Sequence, residues 1–111
     1  MTALTLYGIP TCDTCKKAIK ALESAGRTVT FRDVRAEPLT EAEWAPLLAE
    51  FGTKLVNTKS TTYRGFSDWL KASEADAQLL AQPTVMKRPV IVDGDAMYLG
   101  WSDDVQSSLL D

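Results

Sequence analysis

The feature that most constrains this chain is a strand–helix–strand pattern packed into its first third. Leu4-Thr5-Leu6-Tyr7 alternates apolar and polar residues, which reads as a short strand, and the run stops at Gly8. Ile9-Pro10-Thr11 is a turn, because proline has no N–H to offer the interior of a ladder. Cys15, Ala18, Ile19, Leu22 and Ala25 then fall on one helical face, and Gly26 is placed to stop the helix in the left-handed conformation. Thr28 to Val34 alternates again as a second strand. Two strands joined by a helix within about 30 residues close as parallel neighbours through a right-handed crossover. The rest of the chain has to complete a sheet begun by that pair.

The middle of the chain is helical. Thr40 and Glu43 form a capping box, and Leu39 and Trp44 the hydrophobic staple around it. Pro46 conflicts with a helix starting there, so the pattern predicts either a kink or a start near Ala45. Leu47, Leu48 and Phe51 give a buried face that Gly52 ends; Lys54 to Ser60 reads as a polar loop. Ser73-Glu74-Ala75-Asp76 opens another capped helix, with Leu79 and Leu80 inward and Pro83 as its stop. The last third predicts a hairpin: Pro89 to Val92, a two-residue turn at Asp93-Gly94, and Ala96 to Leu99 returning. Ser102 caps a final helix with Asp103 and Asp104 in its first turn and Val105 and Leu109 inward. The order is β-α-β, helices, then β-β-α. We therefore expect a single α/β domain over 1–111 with a helical insertion at about 40–82, and a mixed four-stranded sheet flanked by helices. That arrangement resembles the thioredoxin fold.

The chemistry concentrates on two cysteines, Cys12 and Cys15, the only ones among 111 residues. Two cysteines placed at random in such a chain stand three apart only about one time in fifty, so the spacing carries information. The pair sits where the first strand hands over to its helix. Unpaired N–H groups at a helix start favour a thiolate at Cys12, and Cys15, one turn in, can resolve a mixed disulfide formed there. Lys16 and Lys17 stand against the helix dipole. Two readings of them stay open: a positive field for a thiolate or an anionic substrate, or two solvated side chains reaching outward. With no histidine in the chain, an imidazole base is excluded, and zinc would need two chains to pool four thiolates.

Further along, Arg88 is held extended by Pro89, and a cis Pro89 would turn the Arg88 backbone toward the cysteine loop. The alternative is a surface arginine at a strand entry. Lys59 and Arg64 lie in a polar stretch, Asn57 to Gly65, that could bind an anion. Trp44, Trp69 and Trp101 read as packing residues. The net charge of −3 argues against a general nucleic-acid or anionic-membrane binder. No basic, apolar leader and no apolar run of about 18 residues is present, so the expected location is the cytoplasm, where a close cysteine pair reads as catalytic or metal-binding.

Leu6 to Ala18, the Asn57-to-Arg64 loop, Lys87-Arg88-Pro89-Val90 and Leu99-Gly100-Trp101-Ser102 together resemble, in order, the motifs of the ArsC/Spx/YffB family, the arsenate-reductase-like branch of the thioredoxin fold. The resemblance implies three functions. The first is a YffB-like thiol–disulfide oxidoreductase linked to glutathione or another small thiol, with Cys12 as nucleophile, Cys15 as resolving thiol, and Lys16, Lys59, Arg64, Arg88 and Pro89 shaping an anion-binding groove. That reading expects no resident cofactor or metal, a small thiol or disulfide substrate with glutaredoxin or thioredoxin as possible protein partners, and a monomer. The second is a Spx-like redox switch that binds the RNA polymerase α-subunit, to whose docking region Gly52 corresponds. The third is arsenate reduction, for which the family uses three arginines; only Arg88 matches one of them here.

Overall fold

The computed structural model describes residues 3–110. In chain order it contains β1 (Ala3–Gly8), α1 (Asp13–Ser24), β2 (Thr28–Asp33), α2 (Glu41–Phe51), α3 (Thr61–Arg64), α4 (Asp68–Lys71), α5 (Ala75–Ala81), β3 (Val90–Asp93), β4 (Ala96–Leu99) and α6 (Asp103–Leu110). The chain divides into two compact units, one formed by Met1–Asp33 with Arg88–Asp111, the other by Val34–Lys87. Among the described residues, no helix is long and apolar enough to cross a membrane.

The first unit is the sheet unit. Its strand order is β2-β1-β3-β4. β1 and β2 are parallel, from Ala3 opposite Thr28 to Gly8 opposite Asp33, as the crossover argument requires. β3 runs antiparallel to β1, with Leu6 opposite Ile91, and antiparallel to β4. The result is a mixed four-stranded α/β sheet of the thioredoxin type. Leu4 and Leu6 of β1, Ile91 of β3, Cys15, Ala18 and Leu22 of α1, and Leu109 of α6 form its core. Trp101 and Val105 pack partly buried against it.

Two details of this unit correct the sequence reading. Ala25 is exposed, because α1 ends at Ser24 and Ala25 is its C-cap, followed by Gly26 at φ +86°. The hairpin turn is Gly94-Asp95, since Asp93 still pairs with Ala96. Gly94, at φ +61°, takes the first turn position, where a left-handed backbone is needed. Keeping Asp93 in the strand leaves its carboxylate for the Arg27 guanidinium, which also donates to the Leu109 carbonyl at 3.2 Å. One side chain thus ties the start of β2 to the hairpin and to the end of α6.

The second unit is helical. The capping box forms as expected, with the Glu43 N–H donating to Thr40 Oγ1 at 3.2 Å and the Thr40 N–H to Glu43 Oε1 at 3.0 Å. Leu39 and Trp44 are both buried. The box settles where α2 starts: the helix runs unbroken from Glu41 through an exposed Pro46 to Phe51.

The expected loop from Lys54 to Ser60 is more ordered than its polarity suggests. Gly52–Leu55 is a 3₁₀ turn, Leu55 and Val56 are buried, and Val56 bridges to Met86. The Asn57 N–H donates to the Val85 carbonyl at 2.8 Å and the Lys87 N–H to the Leu55 carbonyl at 2.7 Å, closing a short two-strand contact. Ser60 then caps the helical turn α3 by accepting from the Tyr63 N–H at 3.1 Å.

Three other expectations fail here. α5 is preceded by Glu74 with no side-chain cap, while the Ser73 hydroxyl donates to the Trp69 carbonyl. Gln78 takes the inward position expected of Leu80, its amide donating to the carbonyls of Leu70 and Lys71 at 3.0 and 3.2 Å. Leu80 is exposed, and so is Trp69, at 77%.

Candidate active site

The site grows from the turn after β1. Gly8 ends the strand, and the Cys12 N–H donates back to the Ile9 carbonyl at 3.2 Å. Cys12 is the N-cap of α1, at φ −81° and ψ 118°, and its carbonyl accepts the first helical bond, from the Lys16 N–H at 3.0 Å. The extended backbone of a cap residue leaves the sulfur at the helix start, half-buried, while Cys15 lies on the inner face and is 1% exposed. Both cysteines are free thiols.

Cradle and cap make the two sulfurs unlike. Burial works against ionisation of Cys12, but it is outweighed. The Cys15 backbone N–H, the Cys15 thiol and the Arg88 guanidinium all favour charge on the Cys12 sulfur, and its pKa falls below the ordinary 9.0. The helix start acts on it through the Cys15 N–H, the largest of the influences that favour the thiolate. Cys15 goes the other way. Burial, assisted by the neighbouring Cys12 sulfur, pushes it up to about 12, against the opposing pull of the Ile9 N–H and of Arg88.

Arg88 reaches Cys12 from the strand side. The Arg88–Pro89 bond is cis, Pro89 is fully buried, and the Pro89 carbonyl accepts from the Gly100 N–H at 2.8 Å. Gly100 has φ +82°, a backbone that suits glycine at this close approach. Of the residues singled out in the sequence, Cys12, Cys15, Arg88 and Pro89 therefore come together in the sheet unit.

The remaining three are surface residues. Lys16 is exposed on α1 and lines a shallow groove of about 500 Å³ with Ile19, Lys20, Glu23 and Ser24. Lys59 and Arg64 belong to the helical unit, both exposed, one in the Asx turn after Asn57 and one at the end of α3. Two participants escaped the sequence reading: the Ile9 N–H directed at the Cys15 sulfur, and Gly8, against which that sulfur is seated. Gly8 reads in the sequence only as the end of the first strand, which carries no signal of a seat for a sulfur.

Known proteins place this arrangement. An uncharacterised protein of Haemophilus influenzae is 34% identical over 110 residues, covering 90% of this chain and 92% of that one. The global transcriptional regulator Spx of Listeria innocua is 29% identical over 107 residues, covering 91% and 82%. Among solved structures, a YFFB protein superposes with a TM-score of 0.88 at 34% identity, covering 97% of this chain and 99% of its own. The ArsC family model matches residues 7–108, from the end of β1 through the cysteine pair, Arg88 and most of α6, and by that match the chain belongs to the ArsC family.

Proposed function

We propose that this protein is a thiol-dependent reductase that works by thiol–disulfide exchange, with Cys12 as the attacking thiolate. The observation that carries the reading is the asymmetry of the pair: an accessible sulfur disposed to ionise beside a buried one disposed to stay protonated. The Cys12 thiolate attacks one sulfur of a disulfide R–S–S–R′, forms Cys12–S–S–R and releases R′–S⁻. That bond removes the negative charge from Cys12, and with it one of the influences that hold Cys15 protonated. Cys15 then gives up its proton, attacks the Cys12 sulfur and expels R–S⁻, leaving a Cys12–Cys15 disulfide. Two equivalents of an external small thiol, glutathione being the natural candidate, restore both thiols and carry off the two electrons' worth of oxidation.

Arg88 supports the thiolate and offers a fork for a carboxylate of the substrate, and the Pro89 carbonyl fixes the strand that presents it. The reaction needs thiols kept reduced, which suits a cytoplasmic location. Turnover of a glutathione mixed disulfide is the test. Cys12→Ser should abolish it, and Cys15→Ser should leave exchange that depends wholly on external thiol. Turnover by the Cys12→Ser variant would refute the assignment.

A second reading is favoured by the match to Spx regulators over nine-tenths of the chain. In it the same disulfide is a switch that changes binding to the RNA polymerase α-subunit, without turnover. Capture of purified polymerase by the reduced and oxidised proteins separates the two. Arsenate reduction, the third possibility, would show as arsenate-dependent consumption of thiol.

A further inference from the structure

We propose that Gly8 is a positioning residue for the cysteine pair: its missing Cβ is the seat that holds the Cys15 sulfur against Cys12. The inference rests on the reading of Cys12 and Cys15 as partners, but it concerns a residue to which that reading assigns no part. A Cβ built at Gly8 would overlap the Cys15 Sγ, while meeting the Cys15 Cβ at 3.4 Å and Leu6 Cδ2 at 3.5 Å, ordinary contacts. The conflict is therefore with one atom, the sulfur.

Backbone geometry does not explain the glycine. Gly8 is the last residue of β1, paired with Asp33, and it is not among the glycines with positive φ. Any L-residue could adopt that backbone, and glycine inside a strand costs stability. What glycine supplies here is room. The Cys15 sulfur has the Gly8 Cα behind it, the Ile9 N–H directed at it and the Cys12 sulfur as its hydrogen-bond partner.

A methyl group at position 8 closes that seat. The sulfur has one torsion by which to leave, and moving to another staggered well turns it by about 120°, a swing of roughly 3 Å. Such a swing takes the thiol out of hydrogen-bond reach of Cys12. The effect of Gly8→Ala on Cys12 should then be the effect of removing the Cys15 thiol, and no more.

The experiment is a double-mutant cycle on the full chain, with wild type, Gly8→Ala, Cys15→Ala and the double variant. The readout is the rate of iodoacetamide alkylation at Cys12 as a function of pH, resolved by mass. Below the Cys12 midpoint, Gly8→Ala should slow alkylation about five- to ten-fold, the loss expected when an ionised sulfur gives up one hydrogen bond. Cys15→Ala should slow it to a similar level, and the double variant should be no slower than either. An equal further loss on adding Gly8→Ala to Cys15→Ala would overturn the proposal, as would no loss from Gly8→Ala alone. Should Gly8→Ala fail to fold, recovery of folding in the double variant supports the seat, and a double variant equally unfolded overturns it. No substrate enters this readout, so a failure of the reductase reading would be seen separately, as absent turnover by a wild type whose Cys12 still titrates as described.

Discussion

Raising the pH should destabilise this protein through Cys15. That thiol is 1% exposed and is pushed up to about 12 in the folded state, against an ordinary value of 9.0. A folded value above the unfolded one means that the stability involved is complete below 9.0 and is lost as pH rises toward about 12, because the unfolded chain ionises first. Cys12 acts in the opposite direction. Its folded value is lowered, so its contribution grows with pH only up to 9.0, above which both states carry the charge. The full interval of three pH units corresponds to about 4 kcal/mol at 1.36 kcal/mol each, and roughly 2 kcal/mol should already be gone by about pH 10.5. The comparison is with Cys15→Ala, which lacks the group. Urea unfolding under a reducing agent, followed by tryptophan fluorescence at about pH 8 and about pH 10.5, gives the two stabilities. Between those points wild type should lose about 2 kcal/mol more than Cys15→Ala, a relative midpoint shift on the order of 1 M urea. Parallel losses in the two proteins would refute the argument, since they would mean that Cys15 ionises in the folded state as readily as in the unfolded chain.

Arg88→Gln removes a charge-assisted hydrogen bond to a half-buried sulfur; discounted for solvent, about 1 kcal/mol is at stake, and Cys12 alkylation at about pH 6 should slow roughly five-fold. An unchanged rate would remove Arg88 from the site. Asp93→Asn weakens its ion pair with Arg27, in which the two side chains are 22% and 19% exposed, and should lower stability by about 1 kcal/mol in a denaturant titration. Thr40→Ala breaks the capping box of α2 and should cost about 1 kcal/mol, while Thr40→Ser, which keeps the accepting oxygen, should cost only a fraction of that.

The sheet unit was legible because its signals are periodic and independent of distant context. Leu4 and Leu6 alternate, Cys15, Ala18 and Leu22 share a helical face, and each agrees with the parallel crossover. The helical unit was less so, because its short turns are set by single side-chain bonds. Ser60 and Ser67 each accept from the N–H three residues on, and such four-residue helices leave no periodicity to read. Leu80 looked like a core residue by hydrophobicity alone, but the inward place belongs to Gln78, whose amide satisfies two carbonyls that leucine could not. At the site, residue types showed Cys12, Cys15, Arg88 and the Pro89 turn. The opposite ionisation of the two sulfurs did not show, because it depends on the burial of Cys15 and on the Cys15 N–H and Arg88 guanidinium at Cys12, which only the folded chain defines.

The strand order has a further consequence, for the moment of synthesis. β1 lies between β2 and β3, and β3, β4 and α6 all come from the last quarter of the chain. When Cys12 and Cys15 leave the ribosome, the strand that carries Arg88 toward them and the leucine that closes the core over α1 have yet to be translated. Pairings between such distant segments form late and slowly. Until they do, both sulfurs are plain solvent-facing thiols, so the difference between them is a property acquired only as the C-terminal quarter docks.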